Sequence, residues 1–173
     1  MLLNKLEESL LTVDLDTDSM VTGFHGWISL SLNEFFAGME IAQQYLIDRN
    51  KCWTTKEKFL DVGSGIGEKL ALAHAMGWDV AGIELRQEYI DQSIKLWPDF
   101  PVERANAFVW DNYDQFDLVY FYRPCVEEDL QGHLTNYIIS KMKPGALLFG
   151  ADIPEPQGLI HIAEQVWEIP NGD

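Results

Sequence analysis

The sequence predicts an α/β domain in three layers, with helices on both faces of a mostly parallel sheet. Two observations predict it. From residue 58 onward, short apolar runs rich in β-formers alternate with amphipathic helical stretches, the pattern of βαβ crossovers. The first of these runs passes straight into a glycine-rich turn, Gly63-Ser64-Gly65-Ile66-Gly67, that opens a helix. No internal repeat, low-complexity tract or linker-like stretch interrupts the 173 residues. One domain is therefore expected over 1–173, with a helical lead-in at 1–50 and an α/β core at 58–169.

Leu2, Leu3, Leu6 and Leu10 recur at helical spacing and predict a short helix over 2–11. Asp14-Leu15-Asp16-Thr17-Asp18 reads as a solvated acidic loop. A calcium loop begun at Asp14 would need Gly and Glu where Ser19 and His25 stand. Gly23-Phe24-His25-Gly26-Trp27 reads as an irregular turn. Ser31 and Glu34 match a capping box, and Leu32, Phe35, Phe36, Met39, Ala42 and Leu46 share one face, so a packed helix is expected over 32–48. A strand at Phe59–Val62 follows, then a helix at Lys69–Met76 stopped by Gly77. Val80–Ile83 is the next strand and Gln87–Leu96 the next helix, halted before Pro98. Pro101–Arg104 is a weak strand, Leu118–Tyr122 a strong one, and Glu127–Met142 a helix. Lys143-Pro144-Gly145 turns into a strand at Ala146–Gly150, and a last strand is expected at Ala163–Ile169.

Composition narrows the partners. Twelve basic residues against 28 acidic ones give a formal charge of −16, and Lys and Arg form no local patch. Nucleic-acid binding draws on neutralising phosphates, so this balance argues against a polyanionic partner. It favours a small molecule or a basic protein segment. No apolar stretch approaches the ~18 residues of a membrane span, and the start lacks a secretory pattern. Cys52 and Cys125 read as two reduced thiols, so a cytoplasmic location is expected. His25, His74, His133 and His161 show no metal-ligand spacing with one another or with the cysteines, and no metal is expected.

The glycine turn is the natural ligand site, because open parallel sheets bind at the carboxyl ends of their strands. Alternate glycines let a ligand approach the backbone without Cβ atoms in the way. A dinucleotide fingerprint fails here. Glu68 falls where its last Gly or Ala would stand, and a carboxylate would repel a pyrophosphate. No Gly-Lys-Ser/Thr follows, which excludes a P-loop. What remains suits a ligand without phosphate, with Asp61 to hold a cationic amino group. Glu84, at the tip of the second strand, is placed to accept hydrogen bonds from ribose hydroxyls.

Phe59-Leu60-Asp61-Val62-Gly63-Ser64-Gly65-Ile66-Gly67 resembles motif I of the class I, seven-strand methyltransferases that use S-adenosylmethionine (SAM). The resemblance continues through Glu84, Asn106-Ala107, Phe116-Asp117-Leu118-Val119-Tyr120 and Met142-Lys143-Pro144-Gly145, over residues 55–151. It implies a Rossmann-like methyltransferase fold with SAM as cofactor. Asp61, Gly63, Ser64, Gly65, Ile66 and Gly67 would line its methionine end, Glu84 would bind the ribose and Leu85 would pack on the adenine. Asn106, beside Ala107, stands where the family usually has Asp at the adenine amino group. By position, Trp27 and Ser29 lie where the family closes over the methionine moiety. The layout is also similar to small protein-lysine methyltransferases of archaeal and mitochondrial type. It shares their helical lead-in, a Gly-x-Glu-Leu second strand and a Pro at the end of the fourth.

The resemblance places the transferable methyl over the end of the fourth strand. Tyr122, Arg123 and Pro124 are therefore expected in the acceptor pocket, with aromatic faces suited to cations and Arg123 suited to a carboxylate. No catalytic base stands out, and Cys125 reads as an apolar filler. The family fold continues past its fifth strand through a helix and a closing antiparallel pair. Residues 152–173 leave room for one short connection and one strand, so either the sheet is shortened at the C-terminus, with an edge that a second subunit would cover, or the protein continues past residue 173. The expected function is methyl transfer to a protein side chain or small molecule. The alternatives are a non-catalytic SAM-binding module, acting as sensor or partner subunit, and a nicotinamide-dependent enzyme.

Overall fold

The computed structural model describes residues 30–50 and 57–172. The expected helix at 2–11, the acidic loop, the turn at 23–27, Trp27, Ser29, His25 and Cys52 lie outside the described residues.

The order of elements is α1 (Leu32–Asn50), β1 (Lys58–Val62), α2 (Glu68–Ala75), β2 (Asp79–Glu84), α3 (Gln87–Leu96) and β3 (Val102–Arg104). A short 3-10 turn at Asn112–Gln115 precedes β4 (Leu118–Tyr122), α4 (Glu128–Lys141), β5 (Leu147–Ala151), β6 (Ile160–Ala163) and β7 (Val166–Glu168). The seven strands form one sheet in the order β3-β2-β1-β4-β5-β7-β6. β1 pairs in parallel with both β2 and β4, and β5 joins β4 in parallel, while β7 runs antiparallel to both β5 and β6. The strand order reverses at β1, where β2 lies on one side and β4 on the other.

Both faces of the central strands are covered, which is why their sequences read as unbroken apolar runs. The two-residue period sends Phe59, Leu118, Tyr120, Leu147 and Phe149 to one core with α1 and α2. It sends Leu60, Val62, Val119, Phe121 and Leu148 to the other, with α4. On the first face Phe35 of α1 meets Phe59 and Tyr120 edge to face and stacks on Phe149, an arrangement aromatic quadrupoles favour.

The start of α1 is a variant of the expected capping box. The Glu34 amide donates to the Ser31 hydroxyl, which itself donates to the Glu34 carboxylate. The far end of α1 is tied to the last strand. Arg49 donates to Glu168 at 2.8 Å and to the Gly145 carbonyl at 2.7 Å, and the Tyr45 hydroxyl donates to the other Glu168 oxygen.

The closing pair corrects one expectation. Two strands stand where one was expected over 163–169, because Glu164 takes a positive φ of 40° and the chain reverses there. That hairpin turn carries no Gly or Asn to mark it in the sequence. The sheet is thus complete at seven strands, and the shortening falls on the connection. Residues 152–159 cross from β5 to β6 through turns, with no helix between them. Among the described residues the sheet's edge strands are β3 and β6.

Gly38 shows how tightly α1 lies on the sheet. A Cβ built there would sit 2.2 Å from the tip of the Phe149 ring. Gly38→Ala is predicted to destabilise the fold by ~2 kcal/mol, the usual scale of overpacking. Urea denaturation reads this directly, and an unchanged midpoint would show that the ring yields freely.

Candidate cofactor and acceptor site

The site is built at the carboxyl end of β1. Gly63, Gly65 and Gly67 all take positive φ, at 78°, 53° and 81°. That backbone is open to glycine and costly to other residues. Each glycine serves a different end. A Cβ on Gly63 would meet no atom of the described residues within 4 Å, so nothing among them fills the space over the turn. A Cβ on Gly67 would lie 2.6 Å from the Ser93 hydroxyl and 3.0 Å from Trp97, so Gly67 lets the turn pack on α3. Gly65 gives its amide to Glu84.

Glu84 is the clamp of the turn. Its carboxylate is buried, with 8% exposure, and accepts three backbone amides: Gly65 at 2.9 Å on one oxygen, Leu85 at 2.7 Å and Arg86 at 2.9 Å on the other. The Gly63 and Ser64 amides both donate to the Ile83 carbonyl, which fastens the same turn to β2. A carboxylate offers about four acceptor positions. Three are used, and one on the oxygen facing Gly65 remains.

Asp61 has a different environment. It lies next to Gly82 on β2 and Tyr120 on β4, on the same sheet face as the aromatic cluster, and is 3% exposed. Its carboxyl accepts no hydrogen bond from the described residues. Burial pushes its pKa up to about 8, against the pull of Lys69, with the Glu84 and Glu68 carboxylates adding to the rise. Tyr120 is likewise pushed well above its ordinary value, first by burial and then by Asp61 and Glu68.

Two residues of the first turn of α2 complete this environment. Glu68 and Lys69 are buried and paired at 2.8 Å, and Lys69 also donates to the Leu30 carbonyl at 3.0 Å and lies 5.2 Å from the Phe35 ring centre. In the sequence Glu68 figured only as an objection to pyrophosphate, and Lys69 had no part. The signal is two adjacent charged residues directly after a glycine turn, at the head of a helix that continues as Leu-Ala-Leu-Ala. Among the described residues no three His, Cys, Asp or Glu side chains gather as a metal site.

The other expected residues divide. Leu85 is exposed at 41%, beside the clamp and open to a planar ligand. Ile66 is wholly buried, so only its backbone faces the turn. Ser64 turns into the fold, its hydroxyl 2.6 Å from where a Gly82 Cβ would be. Asn106 is exposed, and its side-chain oxygen accepts the Phe108 amide at 3.0 Å, an Asx turn. The Ala107 carbonyl accepts the Tyr113 hydroxyl at 2.8 Å. Cys125 is buried and its thiol is pushed up to about 11 by that burial, in keeping with a filler role.

Tyr122 is half-buried, while Arg123 leaves the end of β4 with a φ of 36°. Asp152, unnoticed in the sequence, leaves the end of β5 with a φ of 54° and pairs with Arg123 at 3.1 Å. Left-handed backbone costs a non-glycine residue ~1 kcal/mol. An exposed ion pair returns up to ~1 kcal/mol in all.

Solved methyltransferases share this fold. An RNA methyltransferase from Salinibacter ruber, in complex with S-adenosyl-L-homocysteine (SAH), superposes with a TM-score of 0.62 at 16% identity, covering 84% of this chain and 96% of that one. The chain has the class I methyltransferase fold. The same methyltransferase fold relates it to the sugar N-methyltransferase KedS8 from a Streptoalloteichus species, with a TM-score of 0.53, 20% identity, and 76% and 57% of the two chains covered. A SAM-dependent methyltransferase from Thiobacillus denitrificans, in complex with SAH, gives 0.52 at 14% identity, with 70% and 48% covered. The chain thus spans about half the length of these last two. No protein-family model and no curated protein matches the sequence.

The buried acid makes a testable demand on the fold. The folded-state pKa of Asp61, about 8, lies above its unfolded value of ~3.9. The native state therefore gains nothing from ionising Asp61 and loses stability as pH rises from ~4 toward 8. Asp61→Asn carries no such penalty. Its melting temperature is predicted to exceed the parent's at pH 8.5, with the gap closing toward pH 5. A gap independent of pH would mean that Asp61 is not the group responsible.

Proposed function

We propose that the chain is a SAM-dependent methyltransferase acting on a protein side chain or a small molecule. The observation that carries this reading is the rim beside Gly63. Among the described residues nothing fills the space over the turn, the buried Asp61 carboxyl has no hydrogen-bond partner, and Glu84 keeps one acceptor position at the neighbouring strand tip. These features fit a ligand with a cationic amino acid end, a sugar and no phosphate. When bound, SAM supplies a methyl group on a sulfonium, whose sulfur leaves as a neutral thioether.

The residues of the chain would act by holding and orienting. Asp61 supplies negative charge for the ligand's ammonium, and the amide-clamped Glu84 accepts a ribose hydroxyl. Leu85 offers an apolar face to the base, with Asn106 and Ala107 near its edge. Gly63, Gly65 and Gly67 keep the backbone free of side chains, while Ser64 and Ile66 contribute main chain. Methyl transfer is an in-line displacement on an activated carbon, so alignment of the acceptor is much of what the protein must provide. Tyr122, Arg123 and Pro124 border the side from which an acceptor would come.

The SAH complexes among the structural neighbours support the cofactor, and the neighbours' own acceptors differ: RNA for one and a sugar for another. The charge of −16 weighs against RNA here. Among the described residues no helix is long and apolar enough to cross a membrane.

Calorimetry with SAM, SAH and NAD tests the reading. SAM and SAH bind and NAD does not, and tritium passes from labelled SAM to an acceptor in a cell extract. Binding without any labelled product would instead fit a non-catalytic SAM module. Glu84→Ala is predicted to weaken SAM binding by ~1.5–3 kcal/mol, the range for charged hydrogen bonds, and to lower the melting temperature because the turn loses its clamp. Asp61 is mostly protonated at pH 7, so a cationic ligand should expel its proton. SAM affinity then rises from pH 6 to 8 and levels off above, and the heat at pH 7 differs between phosphate and Tris buffers. Identical heats after correction for the ligand alone would exclude that exchange.

A further inference from the structure

The proposed cofactor site fixes a direction along the rim. Sugar and base extend from β1 toward β2 and β3, where Glu84, Leu85 and Asn106 lie, so the reactive end faces the other way, toward β4 and β5. At that place stands the Arg123–Asp152 pair, one residue past each strand end, which the cofactor reading leaves unused.

Stability does not explain this pair. Both residues hold left-handed backbone, and glycine would make both reversals at lower cost. The third such residue, Glu164, sits in a tight hairpin that demands the conformation. The reversal at Asp152 does bring Ile153 back over Gly150, whose missing Cβ would lie 2.2 Å from the Ile153 side chain. That packing needs the turn and does not need a charge in it. With side chains 45% and 57% exposed, the ion pair returns little.

What the geometry secures is a carboxylate held at the rim with part of it open. Arg123 meets Asp152 through one oxygen, and the other accepts no bond from the described residues. An open carboxylate takes an ammonium group, and a charge of −16 draws basic partners in.

We propose that Asp152 binds the methyl acceptor through an alkylammonium group, and that Arg123 is the positioning residue that holds Asp152 in place. This revises the expected role of Arg123, whose guanidinium is turned to Asp152 rather than left for a substrate carboxylate. It rests on the rim being a SAM site and adds the acceptor's chemical class.

The test uses the full chain saturated with SAH, at low ionic strength. Fluorescein-labelled octalysine stands for a peptide amine and spermidine, as its competitor, for a small one. Asp152→Asn is expected to weaken binding of whichever probe binds by about ten-fold, the loss of one hydrogen bond to a charged group. Asp99→Asn, an exposed carboxylate between α3 and β3, should change it by less than about two-fold. Arg123→Gly should weaken the probe while melting no lower than the parent. Equal losses in Asp152→Asn and Asp99→Asn would overturn the proposal, as would binding of neither probe. A clearly lower melting temperature for Arg123→Gly would do the same by making the pair structural. SAH titration of the parent runs alongside. No SAH binding would fault the cofactor reading, whereas SAH binding without discrimination at Asp152 would fault the acceptor assignment alone.

Discussion

The carboxylate of Glu84, holding three backbone amides, is the interaction on which the rest of the rim depends. One amide comes from the middle of the glycine turn and two from the chain leaving β2. A single buried charge therefore joins the exit of β1 to the exit of β2, with hydrogen bonds of the stronger, charge-assisted kind. Three glycines in left-handed backbone would otherwise be the loosest part of the sheet, since glycine loses most freedom on ordering. With the clamp in place, three successive amides of the turn, those of Gly63, Ser64 and Gly65, are bonded to β2.

The same charge shapes its neighbours. Asp61 feels the charges of Lys69, Glu84 and Glu68, and the aromatic face on its side of the sheet excludes water. Burial first, and then the nearby Glu84 and Glu68 carboxylates, raise the proton affinity of Asp61 against the pull of Lys69, and no described residue donates a hydrogen bond to it. The arrangement is poor for stability and well suited to a cation. Fold and proposed function pull in opposite directions at one residue, the pattern in which binding sites tax the structures that carry them.

Much of this was legible in the sequence, for reasons that differ by element. The parallel core could be read because strands covered on both faces are apolar throughout, and because α1 has one apolar face from Phe35 to Leu46. The glycine turn and Glu84 could be read because their spacing reflects two adjacent strand tips. The hairpin at Glu164 could not, since a charged residue in left-handed backbone leaves no compositional trace. Nor could Asp152, which is 29 residues from Arg123 and meets it only because β4 and β5 pair. Sequence spacing also missed how acceptor capacity is spent. Glu84 and Asn106 look free in a string of letters, yet each already serves backbone amides.

The link between α1 and β7 has a consequence for how the chain acquires its shape. Tyr45 and Glu168 are 123 positions apart, and Arg49 reaches the same carboxylate across 119. Contacts between residues this far apart in sequence close a long loop, and such contacts slow folding. During synthesis α1 emerges well before β7, so its tie to Glu168 cannot close until that residue has been made. The aromatic packing of α1 on β1 and β4 involves residues made earlier, so the two ends of this helix gain their partners at different times.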